Sequence, residues 1–295
     1  MKIAACLAAL AAMLALAAAS PALAQDIPAA IAQDPPVDPA HKASMEVVHI
    51  PSHGVEINGV LYRAAGVGPH PTVVLYHGLP GNEQNLDLAQ AMRRDGWNVL
   101  TLHYRGSWGS PGDYSFHHVF EDAQAALDFV RDPAVAAKYG VDVHRIVVMG
   151  HSMGGMAASI VGDHNPDLAG VGMISAANFA FIGAGQSQAG LSKFMAENRE
   201  SLTETADQMA AEAIAGAHDW DFVKYAPGLA KHPLLLITSD DGLRGASDAL
   251  AKADRALGGA PVTEVHLATD HSYSDHRIAL ETAVIRWLDG LPAAK

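Results

Sequence analysis

A serine between two glycines, a pair of adjacent aspartates and a late histidine are the residues of this chain whose types and order suit covalent chemistry. Ser152 stands at the apex of Gly150-His151-Ser152-Met153-Gly154, directly after the apolar run Arg145-Ile146-Val147-Val148-Met149 and before a helix-compatible segment. A strand, a tight turn and a helix lift such a serine out of a sheet and expose it to substrate. The glycines have a steric task, because side chains at 150 and 154 would collide with a turn whose apex is strained. A serine hydroxyl is a weak nucleophile until a neutral imidazole takes its proton, and the imidazole needs an acid to hold its tautomer and stabilise the cation. Candidates for both follow in chain order. Thr238-Ser239-Asp240-Asp241-Gly242 comes after the run Leu234 to Ile237, and Asp270-His271-Ser272-Tyr273 comes after Val265 to Thr269, read as the last strand. Asp241 is preferred as the acid and Asp240 is its alternative; the other one caps the next helix or solvates the loop. His271 lies on a connecting loop. His266 falls inside the strand and His276 in or at the start of the following helix, so both read as packing or surface residues. With 16 histidines in the chain, place in this order is what singles out His271.

The elements that must position these residues are legible as a pattern. Two early strands, Glu46 to Ile50 and Val55 to Ala64, make a hairpin-like antiparallel start. From Thr72 onward strands and helices alternate, which argues for a mostly parallel central sheet with helices on both faces. Phe120, Ala123, Leu127 and Val130 recur at helical spacing and end at Asp132-Pro133. Leu280, Ala283, Val284, Trp287 and Leu288 form a similar stripe near the C-terminus. Carboxylates after Ile237 would then stand at the C-terminal edge of a parallel strand, where open α/β sheets keep their chemistry. Between Val171 to Ser175 and Leu234 to Ile237 lie 58 residues, more than one crossover helix requires, with a helical stretch from Leu202 to Ile214.

With these motifs in this order, the chain from about Met45 to Leu291 resembles the α/β-hydrolase superfamily, with some similarity to its prolyl-oligopeptidase and dienelactone-hydrolase branches. Val73-Val74-Leu75-Tyr76-His77-Gly78-Leu79-Pro80-Gly81 is similar to the His-Gly motif that follows an early strand there. The resemblance implies that the backbone N–H groups of Leu79 and Met153 face the oxygen that becomes negative in a tetrahedral intermediate. It also implies that His77 braces the loop. Leu102 to Gly112 looks like the family's strand-four loop, with Arg105 tying it down and Trp108 and Tyr114, beside Phe116, as candidate substrate-lining side chains. Residues 178–230 correspond to the insertion that commonly forms a small helical cap in such folds. Phe179, Phe181, Phe194, Trp220 and Phe222 would supply its apolar underside; a plain pair of packed helices is the alternative.

Met1 to Ala24, with Lys2, an almost wholly apolar stretch from Ile3 to Ala19 and Ala22-Leu23-Ala24, reads as a secretory signal peptide, which implies a periplasmic or secreted protein. The sole cysteine, Cys6, lies inside it, so a mature protein would have no thiol and no disulfide. Gln25 to Ser44, rich in proline and alanine without sustained period, reads as a flexible linker. Residues 45–295 then suffice for one domain with a deep core. Nineteen basic against 32 acidic residues give a net charge of −13, which disfavours nucleic acid and anionic membranes as partners, and no stable membrane anchor is expected.

The chemistry these observations imply is acyl transfer to water through a covalent acyl-enzyme, with a small-molecule carboxylic ester as substrate and neither cofactor nor metal required. His49 and His53 are separated by Pro51, and no H-E-x-x-H run occurs. Three other readings stand beside it: a serine peptidase of prolyl-oligopeptidase type, an acyltransferase, and a non-catalytic binding protein on the same fold.

Overall fold

A computed structural model describes residues 27–183 and 186–292. After a single helical turn, α1 (Ala29–Ala32), the chain forms β1 (Ser44–Ser52) and β2 (Val55–Arg63), joined by His53 and Gly54 with φ of 45° and 89°. Two consecutive positive φ values give the turn whose twist matches that of paired strands. There follow β3 (His70–Tyr76), α2 (Leu86–Arg94), β4 (Asn98–Leu102), α3 (Phe116–Arg131), α4 (Pro133–Tyr139), β5 (Val141–His151), α5 (Met153–His164) and β6 (Gly170–Ile174). Helices α6 (Phe179–Gly183), α7 (Gln188–Ala196) and α8 (Ala206–Gly216), a 3-10 turn (Phe222–Tyr225) and α9 (Ala226–Leu229) lead to β7 (Leu234–Thr238), α10 (Arg244–Leu257), β8 (Val262–His266) and α11 (Arg277–Asp289).

The eight strands form one sheet in the order β1-β2-β4-β3-β5-β6-β7-β8, antiparallel at β1, β2 and β4 and parallel from there on. From β3 the chain steps outward to β4, then crosses back to place β5 on the other side of β3. That reversal opens a crevice at the C-terminal ends of β3 and β5, the switch point at which such sheets bind ligands. Side chains of β5 alternate between two cores. Ile146 and Val148 pack with α3 and α5 on one face; Val147 and Met149 pack with α2 and α11 on the other. Both faces are covered, so β4, β6 and β7 are buried at every position.

Three local expectations are corrected. The last strand ends at His266, not Thr269: Leu267 still donates to the Thr238 carbonyl, but beyond it the chain bends, and Asp240 donates to Thr269 outside any ladder. The apolar Leu267 and Ala268 extended the pattern past the last paired residue. The helix foreseen from Leu202 begins at Ala206, where the Thr205 side chain caps it by accepting from the Gln208 N–H, while Leu202 bridges to Ser107. In residues 178–230, Phe179 and Trp220 pack edge-to-face with Phe116 and Phe120, and Phe222 is buried, whereas Phe181 and Phe194 face solvent.

The leader Met1 to Ala24 lies outside the described residues. Within Gln25 to Ser44, composition gives no hint of α1, yet Ala30 is buried and its carbonyl accepts from Arg94 Nε of α2. Packing on a neighbouring helix, not intrinsic propensity, orders this turn.

Candidate active site

Ser152 follows β5 as the N-cap of α5, with φ 57° and ψ −120°, a conformation costly for a residue bearing Cβ. The surroundings over-determine it. Its N–H donates to the Ile174 carbonyl of β6 at 2.9 Å, and its own carbonyl accepts from Gly155 at 2.9 Å and Ala177 at 3.0 Å. The flanking glycines are required by contact: a Cβ at Gly150 would stand 2.0 Å from the Gly154 carbonyl oxygen, and one at Gly154 would stand 2.2 Å from that of Tyr76. α5 can therefore start directly beneath the end of β3.

The loop after β3 lies against this serine. A Cβ at Gly78 would sit 2.8 Å from Ser152 Cβ, so the backbone of the His77-Gly78-Leu79 segment reaches the elbow itself. Among the described residues, neither the Leu79 N–H nor the Met153 N–H is engaged in a hydrogen bond. His77 braces the loop, its Nδ1–H donating to the Gly78 carbonyl at 2.7 Å. Burial pushes its imidazole down to about 4, so it is neutral. Tyr104 Oη donates to the His77 carbonyl at 3.1 Å, and Trp108 Nε1 to that of Pro80 at 2.7 Å.

His271 comes from the loop after β8, and its Nδ1 lies 2.7 Å from Asp241 Oδ2, on the loop after β7. The Asp241 side chain is 5% exposed. Burial alone would raise its pKa, but hydrogen bonds from His271 and the Leu243 N–H outweigh that and hold the carboxyl well below the usual range. Asp240 points elsewhere: its side chain is largely exposed and accepts from His266 Nε2 at 3.2 Å. His266 sits in β8, and His276 is the N-cap of α11, paired with Asp275 at 2.8 Å.

The strand-four loop is fastened on two sides. Arg105 donates through its backbone N–H and its Nε to Asp122 of α3, both at 2.7 Å, and its guanidinium also meets Glu121. Trp108 N–H donates to the Ser201 carbonyl, Thr203 N–H to that of Gly106, and Tyr114 N–H to Thr203 Oγ1, which ties the 178–230 insertion to this loop. Trp108 is 36% exposed. Tyr114 is enclosed, its hydroxyl 3.2 Å from Met153 Sδ, beneath the elbow and not at a surface. Among the described residues no group of three or more His, Cys, Asp or Glu side chains is placed to hold a metal ion.

A family model described as serine aminopeptidase, S33, matches residues 68–226, more than half of the chain. The chain belongs to this α/β-hydrolase family. Among curated proteins, the chain is 34% identical over 118 residues to the α/β-hydrolase domain-containing protein WAV2 of Arabidopsis thaliana. It is also 34% identical over 110 residues to the sn-1-specific diacylglycerol lipase ABHD11 of Xenopus tropicalis. These matches cover 39% and 35% of this chain, and 37% and 30% of the relatives, so the chain aligns with only about a third of the relatives' length. Its fold is similar to that of EstE1, a thermostable carboxylesterase cloned from a metagenomic library, with TM-score 0.63 and 26% identity over 90% of this chain and 92% of the other. An acylaminoacyl peptidase of Pyrococcus horikoshii shares the fold at TM-score 0.65 and 17% identity, over 84% of this chain and 41% of that one.

The candidate site also has residues that the motifs did not disclose. His151, between Gly150 and Ser152, donates through Nε2 to the His271 carbonyl at 2.8 Å, and its ring lies 4.7 Å from that of His271. Burial, with the nearby His271, pushes its pKa down to about 3, so a neutral imidazole supports the His271 loop without opposing a charge there. On the far side, Arg277 donates to the Ser272 carbonyl, Asn85 Oδ1 and both oxygens of Asp87, fastening the His271 loop to the start of α2. Neither contact has a local sequence signal, since the partners lie 120 and about 190 residues apart.

Proposed function

We propose that this protein is a serine hydrolase that cleaves carboxylic esters through a Ser152-His271-Asp241 triad and a covalent acyl-enzyme. One observation carries the reading: Asp241 on Nδ1 of His271. A carboxylate there keeps the imidazole proton on Nδ1 and leaves the Nε2 lone pair free to take a proton. The contact of His271 with His151 sets that ring beside the elbow that carries Ser152.

In this reading, Nε2 of His271 accepts the Ser152 proton as Oγ attacks the ester carbonyl. The carbonyl oxygen becomes negative and accepts from the Leu79 and Met153 N–H groups. The imidazolium, held by Asp241, then gives its proton to the departing alcohol oxygen as the acyl C–O bond breaks. Water repeats the sequence on the acyl-serine, releasing the carboxylic acid and restoring Ser152. Trp108, exposed beside the Pro80 carbonyl, is the side chain proposed to meet substrate. No step uses a metal or cofactor. The N-terminal stretch supports export of the protein to the periplasm or exterior.

The test is turnover of nitrophenyl esters of graded acyl length and of aminoacyl arylamides, with fluorophosphonate labelling of Ser152. Ester turnover with little arylamide cleavage is expected. Arylamide cleavage without ester preference would favour the peptidase reading, which the family description and the acylaminoacyl-peptidase fold also support.

A further inference from the structure

Three consecutive residues of the loop after β8 are each held from a different element. The His271 carbonyl accepts from His151 Nε2 at 2.8 Å, the Ser272 carbonyl accepts from Arg277 Nη1 at 2.9 Å, and Tyr273 Oη meets Ser175 Oγ at 2.8 Å. His151 is the last residue of β5 and adjoins Ser152, Arg277 opens α11, and Ser175 follows β6. His151, Ser175 and Tyr273 are all buried.

The chemistry of His151 fixes its tautomer. A carbonyl only accepts, so Nε2 carries the proton and Nδ1 carries the lone pair. That Nδ1 is buried and has no partner among the described residues. A buried polar atom left unpaired costs about 1–3 kcal/mol, a cost that an apolar side chain of similar size would not bring. Packing alone therefore gives no reason for an imidazole here, whereas its one hydrogen bond goes to the backbone of the residue that carries the proposed base. Arg277 holds the next carbonyl and also donates to Asn85 Oδ1 and both oxygens of Asp87, which brings the segment that follows the Leu79 loop to the same point.

The His271 carbonyl lies in the peptide plane attached to its own Cα, so fixing it leaves the ring only its side-chain torsions. Asp241 at Nδ1 and the His151 ring, 4.7 Å away, then restrain those. We propose that His151 and Arg277 are positioning residues that clamp the His271 loop by two successive carbonyls and hold Nε2 of His271 toward the elbow that carries Ser152. The inference rests on the triad reading above. Because His151 adjoins the nucleophile, base and nucleophile move as one body, and proton transfer from Ser152 starts from an aligned pair. Loss of that alignment slows the chemical step and leaves substrate binding nearly as it was.

The experiment measures kcat and KM for a nitrophenyl ester in the full-length protein and in His151→Leu, His151→Gln and Arg277→Lys, at about pH 8, where an ordinary histidine is neutral. Thermal denaturation checks folding. Leucine fills the space without a donor, glutamine offers an amide N–H at about the reach of Nε2, and lysine keeps the charge opposite Asp87 but lacks the fork that also reaches the Ser272 carbonyl. His151→Leu is expected to lower kcat about 10- to 100-fold with KM within about threefold, and His151→Gln to recover kcat to within about fivefold of the parent. Arg277→Lys should lower kcat about 3- to 30-fold, again with KM nearly kept. A merely structural role would lower melting temperatures and leave kcat per folded molecule unchanged. Equal kcat in folded His151→Leu and His151→Gln, or an unchanged kcat in folded Arg277→Lys, overturns the clamp. Fluorophosphonate labelling of the unsubstituted protein separates this from the parent reading: no labelling at Ser152 defeats the triad, whereas a labelled, active enzyme whose kcat ignores these substitutions defeats the clamp alone.

Discussion

Replacing the Ser152 hydroxyl by hydrogen leaves every backbone bond of the elbow in place. Ser152→Ala is therefore expected to fold as the parent does and to lose about four to six orders of magnitude in ester turnover, together with fluorophosphonate labelling. Labelling retained at another serine would end the assignment. The two aspartates differ in what they touch: Asp241 accepts from His271 Nδ1, and Asp240 accepts from His266 at the surface. Asp241→Asn should cost about three to four orders of magnitude in kcat, because an amide cannot hold the same tautomer. Asp240→Asn should stay within about threefold, as befits a surface contact. Equal losses in the two variants would show that the acid is not chosen by that hydrogen bond. The proposed mechanism needs the His271 imidazole as a neutral base, so turnover should fall on acidification with the slope of one proton. His271→Gln should abolish activity, while His266→Gln and His276→Gln should keep the limb.

At the scale of elements, the elbow works because β5, β3 and α5 approach closer than side chains permit. Gly150→Ala or Gly154→Ala would put a methyl group within 2.2 Å of a backbone carbonyl oxygen that cannot move without shifting a strand or helix. Either variant should fail to accumulate as folded protein or melt at least about 10 °C lower, a loss of several kcal/mol at this size. Gly162→Ala, later in α5, meets only side-chain methyl groups of Leu229 and Val171, each at 2.8 Å, which can repack. Its melting temperature should fall less. If the Gly154 and Gly162 variants lost stability equally, the close approach of α5 to β3 would not be the cause.

Across the whole molecule, buried titratable groups bend the stability curve in opposite directions. His77 and His151 have folded pKa values of about 4 and 3, below the usual histidine value, because burial disfavours their charged forms. Their contribution is present above about pH 6.5 and is lost as pH falls toward those values. Asp95 is pushed up to about 7 by burial and by neighbouring Asp289. Its contribution is present below about pH 4 and is lost as pH rises through about 7. Asp95→Asn, whose amide can donate to Asp289, should raise the melting temperature by about 2–4 °C at pH 8, and the gain should vanish near pH 4. A gain that is the same at both pH values would remove Asp95 from this account.

The sequence by itself determined the elbow, the alternating order of strands and helices, and the loops on which Ser152, Asp241 and His271 stand. Each is written locally: glycines at fixed offsets, apolar runs of strand length, a helical stripe closed by Asp132-Pro133. It left Asp240 and Asp241 as alternatives, because adjacent residues on one loop share every local signal. Only the tertiary structure separates them, by turning one carboxylate inward to His271 and the other outward to His266. The same holds for His151, for Ser175 with Tyr273, and for Tyr114 sealed beneath Met153, whose partners lie 39 to 120 residues away. Hydrophobic periodicity reports which face of an element is buried, whereas a hydrogen bond between two loops depends on the packed orientation of both, and no local pattern encodes that.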